Sequence, residues 1–244
     1  MTFFISCESA ELRQACEVII GQFNLCYSES TLPRLCLREE GLVLLDNTGQ
    51  SIHLNWNDAK WKQRALGARG HEPLIKVTQA SQGVRILDLT AGWGKDGLMM
   101  ASAGAKLVML EKNPYMAALL FEAHLGLDDE ELKSKITILW SDAHDYLNHL
   151  EKDGFPDVIF IDPMHPTREK SALVKKHLQV LQHLVAPNDD VGELIELAQM
   201  YCKKKVVVKW PQKKKPTLKP NYSIQGKTIR YDIYLPLNTD ILIP

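Results

Sequence analysis

The sequence is short of the features that mark specialised proteins. Its five cysteines, at positions 7, 16, 26, 36 and 202, are odd in number and form no CxxC pair that would suggest a zinc or redox site, so reduced thiols are expected. No run approaches the roughly 18 consecutive apolar residues of a membrane span. The first residues, MTFFISCESAELRQ, lack a basic stretch followed by a signal-peptide core, so a cytoplasmic location with no membrane partner is expected. His124, His149, His177 and His183 fall within helical patterns without ligand spacing, and no metal is expected. What is present is the ordinary mix of a globular protein, 45% apolar and 24% charged over 244 residues. That length suits one α/β domain with a small appendage.

The net charge of −1 hides a dipole. Residues 1–167 hold 15 Lys/Arg against 23 Asp/Glu, a net of −8, whereas residues 168–227 hold 13 against 5, a net of +8. A polyanion could use the basic region while the rest keeps the protein soluble.

From Val84 onward, short apolar runs alternate with helical periods, the signature of a mostly parallel sheet covered on both faces by helices. VRILDL (84–89) predicts a buried strand ending in the glycine-rich turn TAGWGKDG, followed by a helix toward Gly104. KLVMLE (106–111) predicts a second strand, and Asn113-Pro114 then opens a helix to Leu125. KITILW (135–140) and DVIFID (157–162) predict a third and a fourth. Residues 170–185 carry an apolar stripe and predict an amphipathic helix; a further helix from Asp189 or Asp190 leads into the strand KVVVKW (205–210). IRYDIYL (229–235) follows with no helix between, so this closing pair is expected to be antiparallel, because a parallel return needs a crossover. Residues 1–60 differ in kind: FFIS, PRLCLREEGLVLLD and SIHLNW predict short strands around one helix near residues 9–23, a small α+β lead-in.

Gly92, Gly94 and Gly97 spell GxGxxG between a strand and a helix, a pattern that serves a dinucleotide or an adenosine cofactor without phosphates. Glu111, ending the second strand, can accept hydrogen bonds from both ribose hydroxyls in either case. Asp88 and Asp96 add acids that would repel a pyrophosphate but suit an ammonium and a sulfonium. The balance falls toward S-adenosylmethionine. Asp142, after the third strand, can approach an adenine amino group, cap the helix containing Tyr146, or do both.

Asp162-Pro163-Met164-His165-Pro166 ends the fourth strand and is similar to the (D/N)PP(F/Y) motif of methyltransferases that act on exocyclic amino groups of bases. An aryl amine is a poor nucleophile because its lone pair is delocalised into the ring. Acceptors such as the Asp162 carboxylate and the Pro163 carbonyl can hold its N–H groups while the lone pair faces the methyl donor, and Asp162 can take up the proton afterwards. The plainer reading is a strand end and a turn.

DLTAGWGKDG, LEKNP, IDPMHP, KSALVKKHLQVLQ, KVVVKWP and RYDIY, in this order and spacing, resemble the small-subunit ribosomal RNA guanine-N2 methyltransferase family of the RsmJ type over roughly residues 60–235. The resemblance implies a Rossmann-like fold with a seven-stranded, mostly parallel sheet ending in an antiparallel hairpin, occupying 61–244 behind the lead-in at 1–60. It implies S-adenosylmethionine as cofactor and small-subunit ribosomal RNA or the small ribosomal subunit as partner. Donor contacts are implied for Lys95, Asp96, Glu111, Lys112, Asp142, Ala143 and Asp162, with His165 in the place of the aromatic that stacks on the base. Two other readings remain: a nicotinamide oxidoreductase, which gives Asp162-Pro163 no task, and a non-catalytic RNA-binding or ribosome-assembly protein.

Four basic segments are candidates for phosphate contact or simply solvated surface: Arg168, Lys170, Lys175 and Lys176; Lys203 to Lys205; Lys213 to Lys215 with Lys219; and the mixed stretch 60–76, suited to a loop over cofactor or RNA, in which Glu72 and Lys76 can pair with each other.

Overall fold

The computed structural model describes residues 2–59, 61, 63, 72–163 and 191–237. The helix expected over 170–185, the basic residues 168, 170, 175 and 176, His165, His177 and His183, and most of the 60–71 stretch lie outside the described residues.

Two sheets share the structure. The smaller is built from β1 (Phe4–Cys7), α1 (Arg13–Phe23), β2 (Cys26–Tyr27), β3 (Arg34–Arg38), β4 (Gly41–Leu45) and β5 (Ser51–His53), in the order β2-β1-β3-β4-β5. PRLCLREEGLVLLD thus folds into the β3–β4 hairpin. β2 is a two-residue strand that no sequence period announces.

The larger sheet contains β6 (Arg85–Asp88), β7 (Lys106–Glu111), β8 (Ile136–Trp140), β9 (Val158–Ile161), β10 (Lys205–Pro211), β11 (Tyr222–Gln225) and β12 (Ile229–Tyr234), in the order β11-β12-β10-β9-β6-β7-β8. β6 to β10 pair in parallel, and β10–β12 and β11–β12 are antiparallel. The closing pair is therefore antiparallel as expected. The seventh strand, β11, is inserted between its members in sequence and lies outside them in space. Its alternation is too polar to be legible: of Tyr222–Gln225 no residue is fully buried. The central strands are apolar on both faces because helices cover both, and β9 and the Val206–Val208 run of β10 are wholly buried.

Between the strands run α2 (Pro73–Thr78), α3 (Lys95–Ser102), α4 (Pro114–Leu125), α5 (Glu130–Ser134), α6 (Ala143–Asn148) and α7 (Val191–Met200). Asn113 starts α4 by accepting hydrogen bonds from the Tyr115 and Met116 amides, with Pro114 supplying the fixed φ of the first turn. From Pro114 to Leu120 this helix is apolar on every side because it is sandwiched: the same core that holds Leu107 and Ile138 of the large sheet holds Ile5, Leu35 and Leu44 of the small one. The Tyr115 hydroxyl ties the two, accepting from the Phe4 amide at 2.6 Å and donating to the Pro33 carbonyl at 2.8 Å. No helix among the described residues is long and apolar enough to cross a membrane.

Candidate active site

In the large sheet the chain steps outward from β6 to β7 and β8, then returns to the other side of β6 as β9. Ligands of open α/β sheets bind outside the carboxyl ends of the strands at such a reversal. Three of the sequence's acids, Asp88, Glu111 and Asp162, stand at the carboxyl ends of β6, β7 and β9, flanking it.

Asp88 is buried, and its Oδ1 accepts the Thr90 amide at 3.0 Å, an Asx turn that takes the chain off the strand. Burial, then the carboxyls of Asp96, Asp162 and Glu111, push it up to about 8, so the neutral acid is favoured there far more than for a free aspartate. Glu111 is also buried and held above the ordinary range by that burial, against the pull of two amides: Oε2 accepts from Gly92 at 2.9 Å and Oε1 from Asn113 at 2.8 Å. It clamps the glycine turn to the start of α4, and each oxygen retains a lone pair for a further donor.

The glycines of the turn divide by task. Gly92, at φ +53°, looks onto open space: an added Cβ would meet nothing closer than the Thr90 carbonyl at 3.9 Å. Gly94, at φ +72°, is bare for packing: a Cβ there would lie 2.5 Å from Cζ2 of Trp56 and 2.8 Å from Cδ2 of Leu120, while Gly97 lies as close against Met109. The lead-in thus supports the turn from beneath, through an indole that is 1% exposed.

Asp162 leaves β9 with its amide donating to the Thr90 hydroxyl at 2.7 Å, which joins the second loop to the turn, and Pro163 behind it is buried. Lys209 bridges the two loops directly. Its ammonium donates to Asp96 Oδ2 at 2.5 Å and to Asp162 Oδ2 at 2.8 Å. Burial raises the Asp162 carboxyl, Lys209 draws it back and Asp96 opposes, leaving it at about 6. Burial works against the Lys209 charge, but the two carboxylates outweigh it and hold the ammonium above its usual range. Sequence reading missed Lys209; the available signal was a lysine inside an otherwise apolar strand, KVVVKWP.

Among the other residues singled out from the sequence, Lys95 and Asp96 open α3, so Asp96 stands in its first turn; Lys112 is exposed beside Glu111. Asp142 caps α6, accepting from the His144 amide at 2.8 Å and the Asp145 amide at 3.4 Å, and Ala143 is buried in the first turn. His124 and His149 bond to backbone carbonyls.

The donor set fits a cation bearing a diol better than a pyrophosphate: a bare Gly92 beside Glu111, with Asp96 and Asp162 sharing one ammonium. No group of three or more potential metal ligands occurs among the described residues.

The comparisons with known proteins point to the same class of cofactor. The sequence matches the family described as "Putative SAM-dependent methyltransferase" over residues 18–236, which reaches back into the smaller sheet. It is 42% identical over 231 residues to the ribosomal RNA small subunit methyltransferase J of Legionella pneumophila (strain Lens), covering 94% of each chain. It is 34% identical over 249 residues to the protein of that name from Thioalkalivibrio sulfidiphilus, covering 93% of this chain and 95% of that one. The crystal structure of a SAM-dependent methyltransferase from Neisseria gonorrhoeae superposes with a TM-score of 0.76 at 22% identity, over 99% of this chain and all of the other, and shares the fold. With its acid-lined turn at the sheet's reversal and these relatives over nearly its whole length, the chain belongs to the ribosomal RNA small subunit methyltransferase J family of SAM-dependent methyltransferases.

Proposed function

We propose that this protein is a cytoplasmic enzyme that transfers a methyl group from S-adenosylmethionine to the exocyclic N2 of a guanine in small-subunit ribosomal RNA. The observation that carries the reading is the meeting of Asp162 with the glycine turn, one carboxylate oxygen engaged by Lys209 and the loop anchored on Thr90. The donor, when bound, supplies an electrophilic methyl on a sulfonium. Glu111 and the backbone at Gly92 are placed to hold its ribose, Asp142 and the amide of Ala143 its adenine, and Asp96 its cationic end. Asp162 holds the acceptor amine and takes its proton, and a carboxyl near 6 suits a base working near neutrality. Pro163 stiffens the loop and offers its carbonyl as a second acceptor; the stacking role of His165 belongs to the same proposal.

Transfer of labelled methyl to ribosomal RNA from cells lacking the protein, followed by mapping of the modified base, tests this. A single N2-methylated guanine is expected. Tight RNA binding without incorporation would favour the assembly-protein reading, and NADH binding the oxidoreductase.

Glu111→Ala is expected to weaken donor binding by about 1 to 3 kcal/mol, since ribose hydroxyls lose a charged acceptor in a desolvated site. Because the same change frees the Gly92 and Asn113 amides, Glu111→Gln, which keeps an acceptor oxygen, should lose less. Calorimetry with S-adenosylmethionine reads the difference; unaltered affinity in the Ala variant would remove Glu111 from the donor site.

The fold also separates the basic clusters. Lys203 to Lys205 enter β10 at its amino end, opposite the site, and Lys204 pairs with Asp157 at 3.2 Å. Lys213 to Lys215 follow its carboxyl end and line a shallow groove of about 350 Å³ on the side of the site. Arg230, buried and paired with Asp232, donates to the Pro211, Gln212 and Lys214 carbonyls, and the Trp210 indole donates to those of Lys214 and Lys215. With its carbonyls gathered inward, the loop offers its lysines at little ordering cost. Replacing all three by Ala should lower RNA affinity, leave donor affinity unchanged and shrink the slope of log K against log salt by about 2 to 3 units. An unchanged slope would return the loop to solvated surface.

A further inference from the structure

Lys209 is an expensive residue where it stands. β10 is otherwise apolar from Val206 to Trp210, and a lysine in such a strand gives up hydration that only close partners restore. Its place follows from register: Val208 pairs with Ile161 in the parallel β9–β10 ladder, so Lys209 emerges beside Asp162 where both strands end. On its other side it faces Tyr231 across the antiparallel ladder. A hydrocarbon would fill the position more cheaply. The ammonium instead reaches two carboxylates that belong to different loops, Asp96 at the start of α3 and Asp162 after β9.

We propose that Lys209 is a positioning residue for the methyl transfer: by tying the acceptor loop at Asp162 to the donor turn at Asp96, it keeps the Asp162 carboxylate ionised and aimed at the amine. The inference rests on the function proposed above. Asp162 and Asp96 repel one another, and the partial desolvation of the half-buried Asp162 favours its neutral acid, so removing the cation between them favours protonation of one carboxylate. A protonated Asp162 can neither orient the amine as a two-oxygen acceptor nor receive its proton. Lys209 itself, held charged above its usual range, cannot act as the base.

The titratable groups that interact electrostatically with Asp162 among the described residues include Lys209, Asp96, Asp88 and Tyr231, and Glu111 acts in turn on Asp88 and Glu72 on Tyr231. Burial, then Asp96, pushes the Tyr231 hydroxyl up to about 12, so it stays neutral across the range of the test. Asp88, at about 8, titrates within it, so the Asp162 signal has to be followed individually.

The test compares Lys209→Met, Lys209→Gln and Lys209→Arg in two measurements. The first is titration of the Asp162 carboxyl by carbon NMR in aspartate-labelled protein, its signal identified by its loss in Asp162→Asn. The midpoint, expected near 6 in the wild type, should rise by about 1 to 3 pH units in the Met and Gln variants and stay within a fraction of a unit in Arg. The second is kcat against pH. The acid limb should rise in step, costing about tenfold or more at pH 7 for a two-unit shift, with KM for the donor little changed and activity returning as the pH is raised. The Gln variant keeps a hydrogen-bond donor and serves if Met does not fold. An unmoved midpoint in a folded neutral variant would overturn the proposal, as would a loss of kcat that high pH does not restore. A wild type that methylates no RNA would sink the proposed function while leaving the carboxyl titration to judge Lys209 alone.

Discussion

Asp162→Ala is expected to lower kcat by about a hundredfold to ten-thousandfold with donor and RNA both saturating, the usual cost of removing a positioned acceptor or base. The fold should survive, because Lys209 keeps Asp96 as a partner and the Asp162 amide still donates to Thr90. Asp162→Asn sharpens the result. The amide can accept a hydrogen bond from Lys209 and from the amine but cannot take a proton. Substantial activity in Asn with none in Ala would mean that Asp162 orients the amine and water removes the proton; two dead variants would mean that the charge itself is needed. Donor affinity is measured separately in each, since Asp162 also borders the donor turn. Near wild-type turnover in Ala would end the claim that this loop is the acceptor site.

Gly94→Ala is expected to destabilise the protein by about 2 to 5 kcal/mol, read as a fall in the urea midpoint. A non-glycine residue in the left-handed region costs about 1 to 2 kcal/mol, and forcing a methyl into a filled core about 1 to 3 more. The methyl would meet Trp56 at 2.5 Å, Leu120 at 2.8 Å and Met109 at 3.1 Å, and Trp56 is fully buried and cannot swing away. Gly92→Ala is the contrast. Its methyl would meet only one backbone oxygen at van der Waals distance, so it should cost about 1 to 2 kcal/mol of stability while weakening donor binding. A Gly94→Ala protein as stable as the wild type would refute the packing role.

That contrast shows where sequence reading stopped. GxGxxG between a strand and a helix located the turn, but the pattern does not distinguish one glycine from another. Of the three, only Gly92 opens onto free space. The reason for Gly94 is Trp56, 38 positions earlier in a segment that matched no motif, and a motif carries no information about what packs beneath it.

The strands of the larger sheet apart from β11, the acids at the ends of β6, β7 and β9 and the cap at Asn113-Pro114 were legible in the sequence, because each is a local matter of periodicity, capping or backbone preference within about ten residues. The family resemblance added the fold and the donor. Tertiary structure alone decided which side chains converge. The Lys209 contacts span 47 and 113 residues of chain; they exist because β10 lies against β9 in one register, and a slip of one residue would turn the lysine to the other face of the sheet. The same placement sorted the lysine clusters, setting Lys203 to Lys205 at the amino end of a strand whose carboxyl end carries Lys213 to Lys215. Charge runs look alike in sequence, and only the direction of the strand between them separates a surface on the side of the candidate site from one on the far side.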